Sequence, residues 1–279
     1  MSESSSTRPA RPGSPRLTRG GTLALCALPV VLLLVVAVFV PLPFSLTQPG
    51  ETANVLGKHG GKPVISVEGA EGATGKAADK GRLLSVTIAA TLPDAKVRLP
   101  DVVRAWFRDD RAVMPRDAVY PGGGDTEDAE RRIDKEMKDS QRAAVTAALR
   151  QVHRSPKDVH VKLRLGDVGG PSAGLFFALG IVDKLDGNGA GPGGLTGGRT
   201  VAGTGTIDAK GEVGAVGGVP LKMQAARRDG ARYFLIPRSQ CGEAVSLTPK
   251  GLRLVPVGTL KGALDALKEI RTGGEVPGC

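Results

Sequence analysis

A serine in a glycine-rich turn is the first residue of this sequence that could carry chemistry. Ser172 follows Gly170-Pro171 and precedes Ala173-Gly174, where a predicted strand gives way to an apolar helix. A hydroxyl there lies at the positive end of the helix dipole, beside backbone N–H groups that could stabilise an oxyanion. Taken alone, a serine at a helix start is more often an ordinary cap. Ser172 is therefore a candidate nucleophile that needs a partner.

A serine nucleophile needs a base, and this sequence offers a lysine more readily than a histidine. It has three histidines and no G-x-S-x-G nucleophile elbow. Lys222 lies near the start of a predicted helix, residues 221–229, among apolar neighbours. Burial there would lower its pKa, so that a neutral amine could accept the serine proton. The alternative for Lys222 alone is a solvent-exposed helix lysine, which is the commoner case.

Together these two segments resemble the proteolytic domain of Lon proteases. Gly-Pro-Ser-Ala-Gly at 170–174 matches the family's nucleophile motif, and Gly203-Thr204-Gly205 matches the threonine–glycine segment of the next strand. Val216-Gly217-Gly218, followed by Lys222, matches the segment that carries the catalytic lysine. The resemblance implies that Ser172 is the nucleophile, Lys222 the general base and Thr204 the hydrogen-bonding support of the lysine. It also implies an oxyanion hole from the N–H groups around Ser172 and Gly170.

The resemblance covers residues 63–272 and is strongest over 158–237. An apolar N-terminal segment followed by Pro-Leu-Pro-Phe is similar to the membrane-anchored bacterial branch of the family, whose members usually carry a PDZ domain. Only residues 154–158 separate the predicted long helix from the next strand, so we expect no PDZ domain there. By resemblance we also expect a homo-oligomeric ring.

Two further departures from the family pattern bear on the chemistry. The sequence has no G-x-x-x-x-G-K-[ST] motif, so we expect proteolysis without ATP. Its three histidines are too few and too spread for a typical histidine-rich metal site, and we expect no metal or other cofactor. The position before Gly-Pro-Ser, often acidic in the family, is glycine here; the nearest acid is Asp167, either an orienting group or a plain loop carboxylate. The glycine-rich stretch 186–199 is expected to be a flexible loop, more plausibly an insertion than a lid.

Around these motifs the pattern predicts an α+β domain with α/β-like alternation. We expect strands at 63–67, 83–92, 159–165, 201–207, 233–237 and 252–257, and helices at 100–107, 125–152, from about 171, at 221–229 and at 260–270. Residues 112–124 are expected to be irregular.

The N-terminus predicts a membrane anchor. Residues 1–20 carry four arginines against one glutamate, and no charge follows up to Gly50. The apolar centre, residues 23–44, would span about 33 Å as a helix, enough to cross a bilayer. A cleaved signal peptide is the alternative, although its apolar region is usually shorter and ends at a small-residue site. The domain plan is then a cytoplasmic tail (1–20), an anchor (21–44), a polar stalk (45–62), the proteolytic domain (63–272) and a C-terminal tail (273–279).

The arginines should keep the tail cytoplasmic and leave the domain extracytoplasmic. A disulfide between Cys241 and Cys279 is chemically permitted there, with two free thiols as the alternative. The net charge of +10 is scattered and aromatic residues are only 3%, so we expect no nucleic-acid partner. The glycine-rich loops lack the lysine of a phosphate cradle. Two hypotheses remain: a membrane-anchored serine endopeptidase acting on extracytoplasmic proteins or peptides, and a non-catalytic Lon-like scaffold that binds such partners.

Overall fold

The computed structural model describes residues 18–69, 81–164, 170–186 and 194–279. The helices of this part of the chain are α1 (Arg19–Phe39), α2 (Leu99–Trp106), α3 (Arg116–Val119), α4 (Thr126–Gln151), α5 (Gly174–Asp186), α6 (Val219–Arg228), α7 (Cys241–Val245) and α8 (Leu260–Thr272). Its strands are β1 (Phe44–Asn54), β2 (Lys58–His59), β3 (Lys62–Pro63), β4 (Ile65–Glu68), β5 (Arg82–Ala90), β6 (Ala112–Pro115), β7 (His160–Leu163), β8 (Thr200–Gly203), β9 (Thr206–Ile207), β10 (Val213–Gly214), β11 (Tyr233–Pro237) and β12 (Arg253–Val257).

A mixed six-stranded sheet in the order β12-β11-β8-β5-β1-β6 organises the domain. The four strands from β12 to β5 are parallel to their neighbours, whereas β1 and β6 each join antiparallel. Parallel strands need crossover connections, and helices supply them here. This mixed α and β arrangement agrees with the predicted fold class. The long helix α4 is followed by β7 after residues 152–159 alone, as the spacing predicted.

Helices cover both faces of the sheet. Successive residues of β5 point to opposite faces, so Leu83 packs with the core around α5 and Leu84 with the core around α6. Helix α5 is apolar on every side up to Val182, and Phe176, Phe177 and Leu179 are each at most 1% exposed. A helix of this kind must be buried all round, and α4, α8 and the sheet enclose it. The turn that begins α5 is thereby held at a fixed place beside the sheet.

The predicted stalk is wrong over its first part, because residues 44–54 form β1. This strand lies between β5 and β6, so the folded domain begins at Phe44. Its buried positions include Ser45 and Thr47, each 1% exposed, which hid the alternation of apolar residues that usually reveals a strand. The register also shifts between Pro49 and Thr52, which interrupts the two-residue period further.

Three other predicted segments need correction. Residues 112–124 are not wholly irregular, since β6 and α3 lie within them. The predicted strand 201–207 is divided into β8 and β9, because the chain between them bonds to the turn before α5. Within the expected loop 186–199, residues 187–193 lie outside the described part, and Leu195 and Thr196 are buried.

The C-terminal tail packs on the domain instead of extending from it. Val276 is buried, and Arg253 donates a hydrogen bond to its carbonyl oxygen. A disulfide joins Cys241, the first residue of α7, to Cys279, with the two Cα atoms 5.4 Å apart. The last residues of the chain are therefore tied to the β12 edge of the domain.

Helix α1 is long and apolar enough to cross a membrane, and none of its 21 residues is buried. A signal sequence near an N-terminus meets the same criterion, so the helix is a candidate span. It begins at Arg19 and ends at Phe39, close to the predicted segment 21–44.

Candidate active site

The candidate nucleophile lies on a tight turn that leads into the buried helix α5. Pro171–Ala173 form one 3₁₀ turn. In this turn the N–H of Ala173 donates a hydrogen bond to the carbonyl oxygen of Gly170 at 3.0 Å. Ser140 of α4 donates its hydroxyl to the carbonyl oxygen of Pro171 at 2.9 Å. Ser172 itself is half-buried, whereas Ala173 and the residues that follow are buried. The serine side chain is therefore at the surface end of a rigid helix, as a nucleophile requires.

The chain between β8 and β9 fixes this turn from the other side. The N–H of Gly205 donates to the carbonyl oxygen of Ser172 at 2.9 Å, and the N–H of Leu175 donates to the carbonyl oxygen of Gly205 at 3.1 Å. These two reciprocal bonds lock the start of α5 against the end of β8. The break between β8 and β9 therefore places Thr204 directly beside Ser172.

The candidate base projects from the first turns of α6. Gly218 precedes the helix with φ of 69°, a left-handed conformation that favours glycine. A Cβ atom at Gly218 would also lie 2.8 Å from Cγ2 of Ile88, so a larger residue would be strained and crowded. Lys222 follows one turn later and is only 3% exposed. It is among the few buried charged or polar side chains of the described residues.

Thr204 connects the lysine to the serine backbone. Lys222 Nζ donates to Thr204 Oγ1 at 3.2 Å, and Thr204 Oγ1 donates to the carbonyl oxygen of Ser172, also at 3.2 Å. Thr204 is fully buried, so its hydroxyl is held in this orientation. The three candidate residues thus come together in the fold, although they belong to α6, the end of β8 and the turn before α5.

Burial lowers the pKa of Lys222 from 10.5 to about 8. The cause is the loss of water around the ammonium group, which disfavours the charged form. At pH 7 about a tenth of such a lysine is neutral, compared with well under a thousandth of an ordinary one. The amine is therefore suited to take up a proton near neutral pH.

An open cleft of about 570 Å³ contains Ser172 and Lys222. Its walls come from β5, β6, α3, α4 and the segment before α6, and include Ile88, Met114, Tyr120, Ile133 and Glu136. Tyr120 donates its hydroxyl to the carbonyl oxygen of Thr91 at 2.9 Å, and partial burial raises its pKa. The expectation that residues 112–124 are irregular does not predict this wall; the pair Val113-Met114 is the sequence signal of its short strand β6.

Gly170 lines the cleft in an extended conformation immediately before the 3₁₀ turn. Asp167 lies outside the described residues. No hydrogen bond joins Ser172 Oγ to Lys222 Nζ within the part of the chain that the structure covers, although both line one cleft; catalytic contacts commonly tighten only when substrate binds. Among the described residues no group of three or more His, Cys, Asp or Glu side chains could hold a metal ion.

The family model and curated relatives that match this chain belong to Lon proteases. Residues 124–266 match the family model of the Lon protease (S16) C-terminal proteolytic domain. Lon protease 2 of Bacillus subtilis (strain 168) is 31% identical over 126 residues, which are 44% of this chain and 21% of that protein. Lon protease of Azospirillum brasilense is 33% identical over 113 residues, or 39% and 13% of the two chains. Lon protease of Clostridioides difficile (strain 630) is 36% identical over 98 residues, or 34% and 11%. The matches thus span about a fifth or less of the length of these relatives.

Proposed function

The chain belongs to the family of Lon protease (S16) C-terminal proteolytic domains, and we propose that it is a membrane-anchored serine endopeptidase with a Ser172–Lys222 dyad. The observation that carries the proposal is the buried Lys222, bonded to Thr204 and sharing a cleft with Ser172. A buried lysine without an acidic hydrogen-bond partner lowers the stability of the fold, so a buried Lys222 calls for a functional explanation. Use as a base supplies that reason.

In the proposed acylation step, neutral Lys222 Nζ accepts the proton of Ser172 Oγ as that oxygen attacks the carbonyl carbon of the scissile peptide bond. The carbonyl oxygen becomes an oxyanion in a tetrahedral intermediate. The ammonium of Lys222 then returns the proton to the leaving amine nitrogen, the C–N bond breaks, and Ser172 carries the acyl group as an ester.

Deacylation follows the same proton path in reverse. A water molecule gives one proton to Lys222 Nζ and attacks the ester carbonyl, and the proton passes to Ser172 Oγ as the C–O bond breaks. Thr204 is the proposed positioning residue, because its hydroxyl accepts one N–H of Lys222 and leaves the nitrogen lone pair free to act.

We further propose that the backbone N–H groups around Ser172 and Gly170, just before α5, stabilise the oxyanion. The extended Gly170 and the 3₁₀ turn after it bring backbone into the cleft without a Cβ at residue 170. The positive end of the α5 dipole favours negative charge at the same place.

The proposed location is the outer face of a membrane, with α1 as the span and residues before it in the cytoplasm. The arginines at positions 8, 11, 16 and 19 support this orientation by the positive-inside rule. The Cys241–Cys279 disulfide also supports it, because disulfides persist in oxidising compartments. The proposed substrates are accordingly extracytoplasmic proteins or peptides presented as extended segments.

Two parts of the proposal rest on sequence and family alone. Cleavage should need no ATP bound by this chain, because its sequence has no phosphate-binding motif of the P-loop type. A homo-oligomeric ring is proposed from membership of the family. Sedimentation of the full chain in detergent would report the oligomeric state directly.

The decisive experiment incubates the full-length chain with an unfolded protein in the absence of ATP and identifies fragments by mass spectrometry. Ser172→Ala and Lys222→Ala are the test variants, and Lys210→Ala, at an exposed lysine, is the matched control. We expect fragments from the wild type and the control only. A folded, assembled wild-type chain that yields no fragments would instead favour a binding scaffold.

A further inference from the structure

Helix α2 leaves much of its apolar side exposed. Leu99, Val102, Val103 and Trp106 follow the helical spacing i, i+3, i+4 and i+7, and Phe107 extends the same side. We call these five residues the α2 stripe. Trp106 is 79% exposed and Phe107 83% exposed. An amphipathic helix on a soluble domain normally buries such a stripe, whereas here Leu99 and Val102 are half-buried and the other three members are exposed.

The inner side of α2 shows that the helix is held in this orientation. Ala105, about 100° around the helix from Trp106, is 2% exposed, and α2 contacts β6. The carboxylate of Asp101 accepts a hydrogen bond from the N–H of Arg98 at 3.1 Å, which fixes the first turn. The exposed aromatic side chains therefore belong to a docked helix.

The α2 stripe lies at the foot of the candidate membrane span. Leu42, three residues after the end of α1, donates its N–H to the carbonyl oxygen of Val97 at 2.8 Å. Helices α1 and α2 also contact each other directly. If α1 crosses a bilayer, α2 is at the level where the hydrocarbon meets the headgroups.

The charged residues around α2 suit a position at the boundary between the hydrocarbon and the lipid headgroups. Residues 96–111 contain five basic and three acidic side chains, a net charge of +2. Arg104 pairs with Asp101 at 3.2 Å and Arg108 with Asp110 at 2.8 Å, and all four are at least partly exposed. Tryptophan is enriched at membrane interfaces, and arginine there is attracted to anionic lipid headgroups.

We propose that α2 is an interfacial helix that docks the domain on the bilayer through the α2 stripe. Trp106 and Phe107 insert between lipid headgroups and the upper acyl chains, while Ala105 remains against the domain. This inference rests on the proposed anchoring by α1 and does not depend on proteolysis. It commits the stripe to lipid, as opposed to a second copy or another protein.

The chain offers a direct probe, because Trp106 is its single tryptophan. The full-length protein is reconstituted in phosphatidylcholine vesicles with a minority of phosphatidylglycerol, and its tryptophan fluorescence is recorded. Lipids brominated near the headgroup end of the acyl chain should quench Trp106 at least about twofold more than lipids brominated near the methyl end, as expected for a shallow depth of about 5–10 Å. Emission should also be protected from aqueous acrylamide.

The matched control moves the tryptophan to the far edge of the sheet. Leu247 follows α7 beside β12, and it is 56% exposed, whereas α2 contacts β6 at the other edge. The double variant Trp106→Phe with Leu247→Trp should show no quenching by either brominated lipid. It should remain fully accessible to acrylamide.

Three results would overturn the proposal, and they differ from one another. Trp106 that is open to acrylamide in chains floating with the vesicles would leave the anchor intact and α2 in water. Trp106 that is shielded from acrylamide but unquenched by both lipids would mean that protein covers the stripe. A chain that does not float with vesicles after an alkaline wash would remove the anchor and the docking together, and fragment analysis would still judge the protease independently.

Discussion

Lys222 Nζ lies 3.2 Å from Thr204 Oγ1, and this one bond links the helix α6 to the turn that carries Ser172. The same hydroxyl donates to the carbonyl oxygen of Ser172, so the lysine is positioned relative to the serine through Thr204. Three segments that are distant in sequence are thereby held in one constellation.

Replacing Lys222 by arginine should abolish peptide cleavage. A guanidinium keeps its charge at all accessible pH values and cannot accept the serine proton. We expect the rate to fall by at least about a thousandfold, comparable to the loss on removing a triad member in other serine proteases. The measurement is fragment formation from an unfolded protein, with Lys250→Arg at an exposed site as the control. Substantial turnover by Lys222→Arg would contradict the dyad.

The rate should rise with pH until Lys222 is deprotonated. Its pKa of about 8 means that the neutral amine, the active form, increases about tenfold per pH unit below 8. We therefore expect kcat/KM to climb from pH 6 to 8 and to level off above pH 9. A peptide substrate without titratable groups near the cleaved bond isolates this effect. A rate that stays flat across this interval would argue for another base.

Replacing Lys222 by methionine should stabilise the fold at neutral pH. The folded pKa of about 8 lies below the unfolded value of 10.5, so the charged lysine penalises folding. That penalty on the free energy of folding is absent above pH 10.5 and grows as the pH falls toward 8. Below pH 8 it is constant, and it amounts to about 3 kcal/mol at pH 7. Chemical denaturation at pH 7 and pH 10.5 measures it.

The pH dependence separates this effect from a simple packing change. A gain in the free energy of unfolding that disappears as the pH rises toward 10.5 identifies the buried charge as its source. An equal gain at both pH values would show that methionine merely packs better.

Replacing Thr204 by valine should slow cleavage without unfolding the domain. The variant loses the hydroxyl that accepts from Lys222 and donates to Ser172, while it keeps nearly the same volume. A hydrogen bond to the ammonium that forms as Lys222 takes up the proton is worth about 1.5–3 kcal/mol, so we expect a loss of about tenfold to a hundredfold in kcat. Thr204→Ser should restore most of the rate.

Two further readouts define Thr204 as a positioning residue. The pH profile of Thr204→Val should shift, because the lysine loses its hydrogen-bond acceptor. Thr146→Val, at an exposed threonine of α4, should leave both rate and profile as in the wild type. If Thr204→Ser were as slow as Thr204→Val, the hydroxyl would not be the important group.

Removing the Cys241–Cys279 disulfide should destabilise the domain. The bond closes a loop with a sequence separation of 38 residues, for which the chain-entropy model gives about 4 kcal/mol. We expect Cys279→Ser to lower the free energy of unfolding by about 2–4 kcal/mol, and a reducing agent to act similarly on the wild type. Cys26→Ser, at the exposed cysteine of α1, is the control. Equal stability of the reduced and oxidised chains would contradict this.

Much of the local structure and the candidate site could be predicted from the sequence. The helix start at Ser172, the glycine before α6 and the apolar surroundings of Lys222 are local patterns, since neighbouring residues determine turns, caps and helix faces. The same locality made α4 and β11 predictable close to their observed bounds. The family resemblance added the roles of Ser172, Lys222 and Thr204, which remain to be tested.

Other features were decided only by the tertiary structure, because they depend on contacts between distant residues. β1 falls in the predicted stalk, because its buried positions hold Ser45 and Thr47 and its place in the sheet depends on pairing with β5 and β6. The low pKa of Lys222 arises from burial, which no local pattern measures. The sequence permitted either a disulfide or two thiols, and the packing of the C-terminal tail brought Cys279 to Cys241. Likewise the spacing of α2 predicts an amphipathic helix, but only the docking of Ala105 shows that Trp106 faces outward.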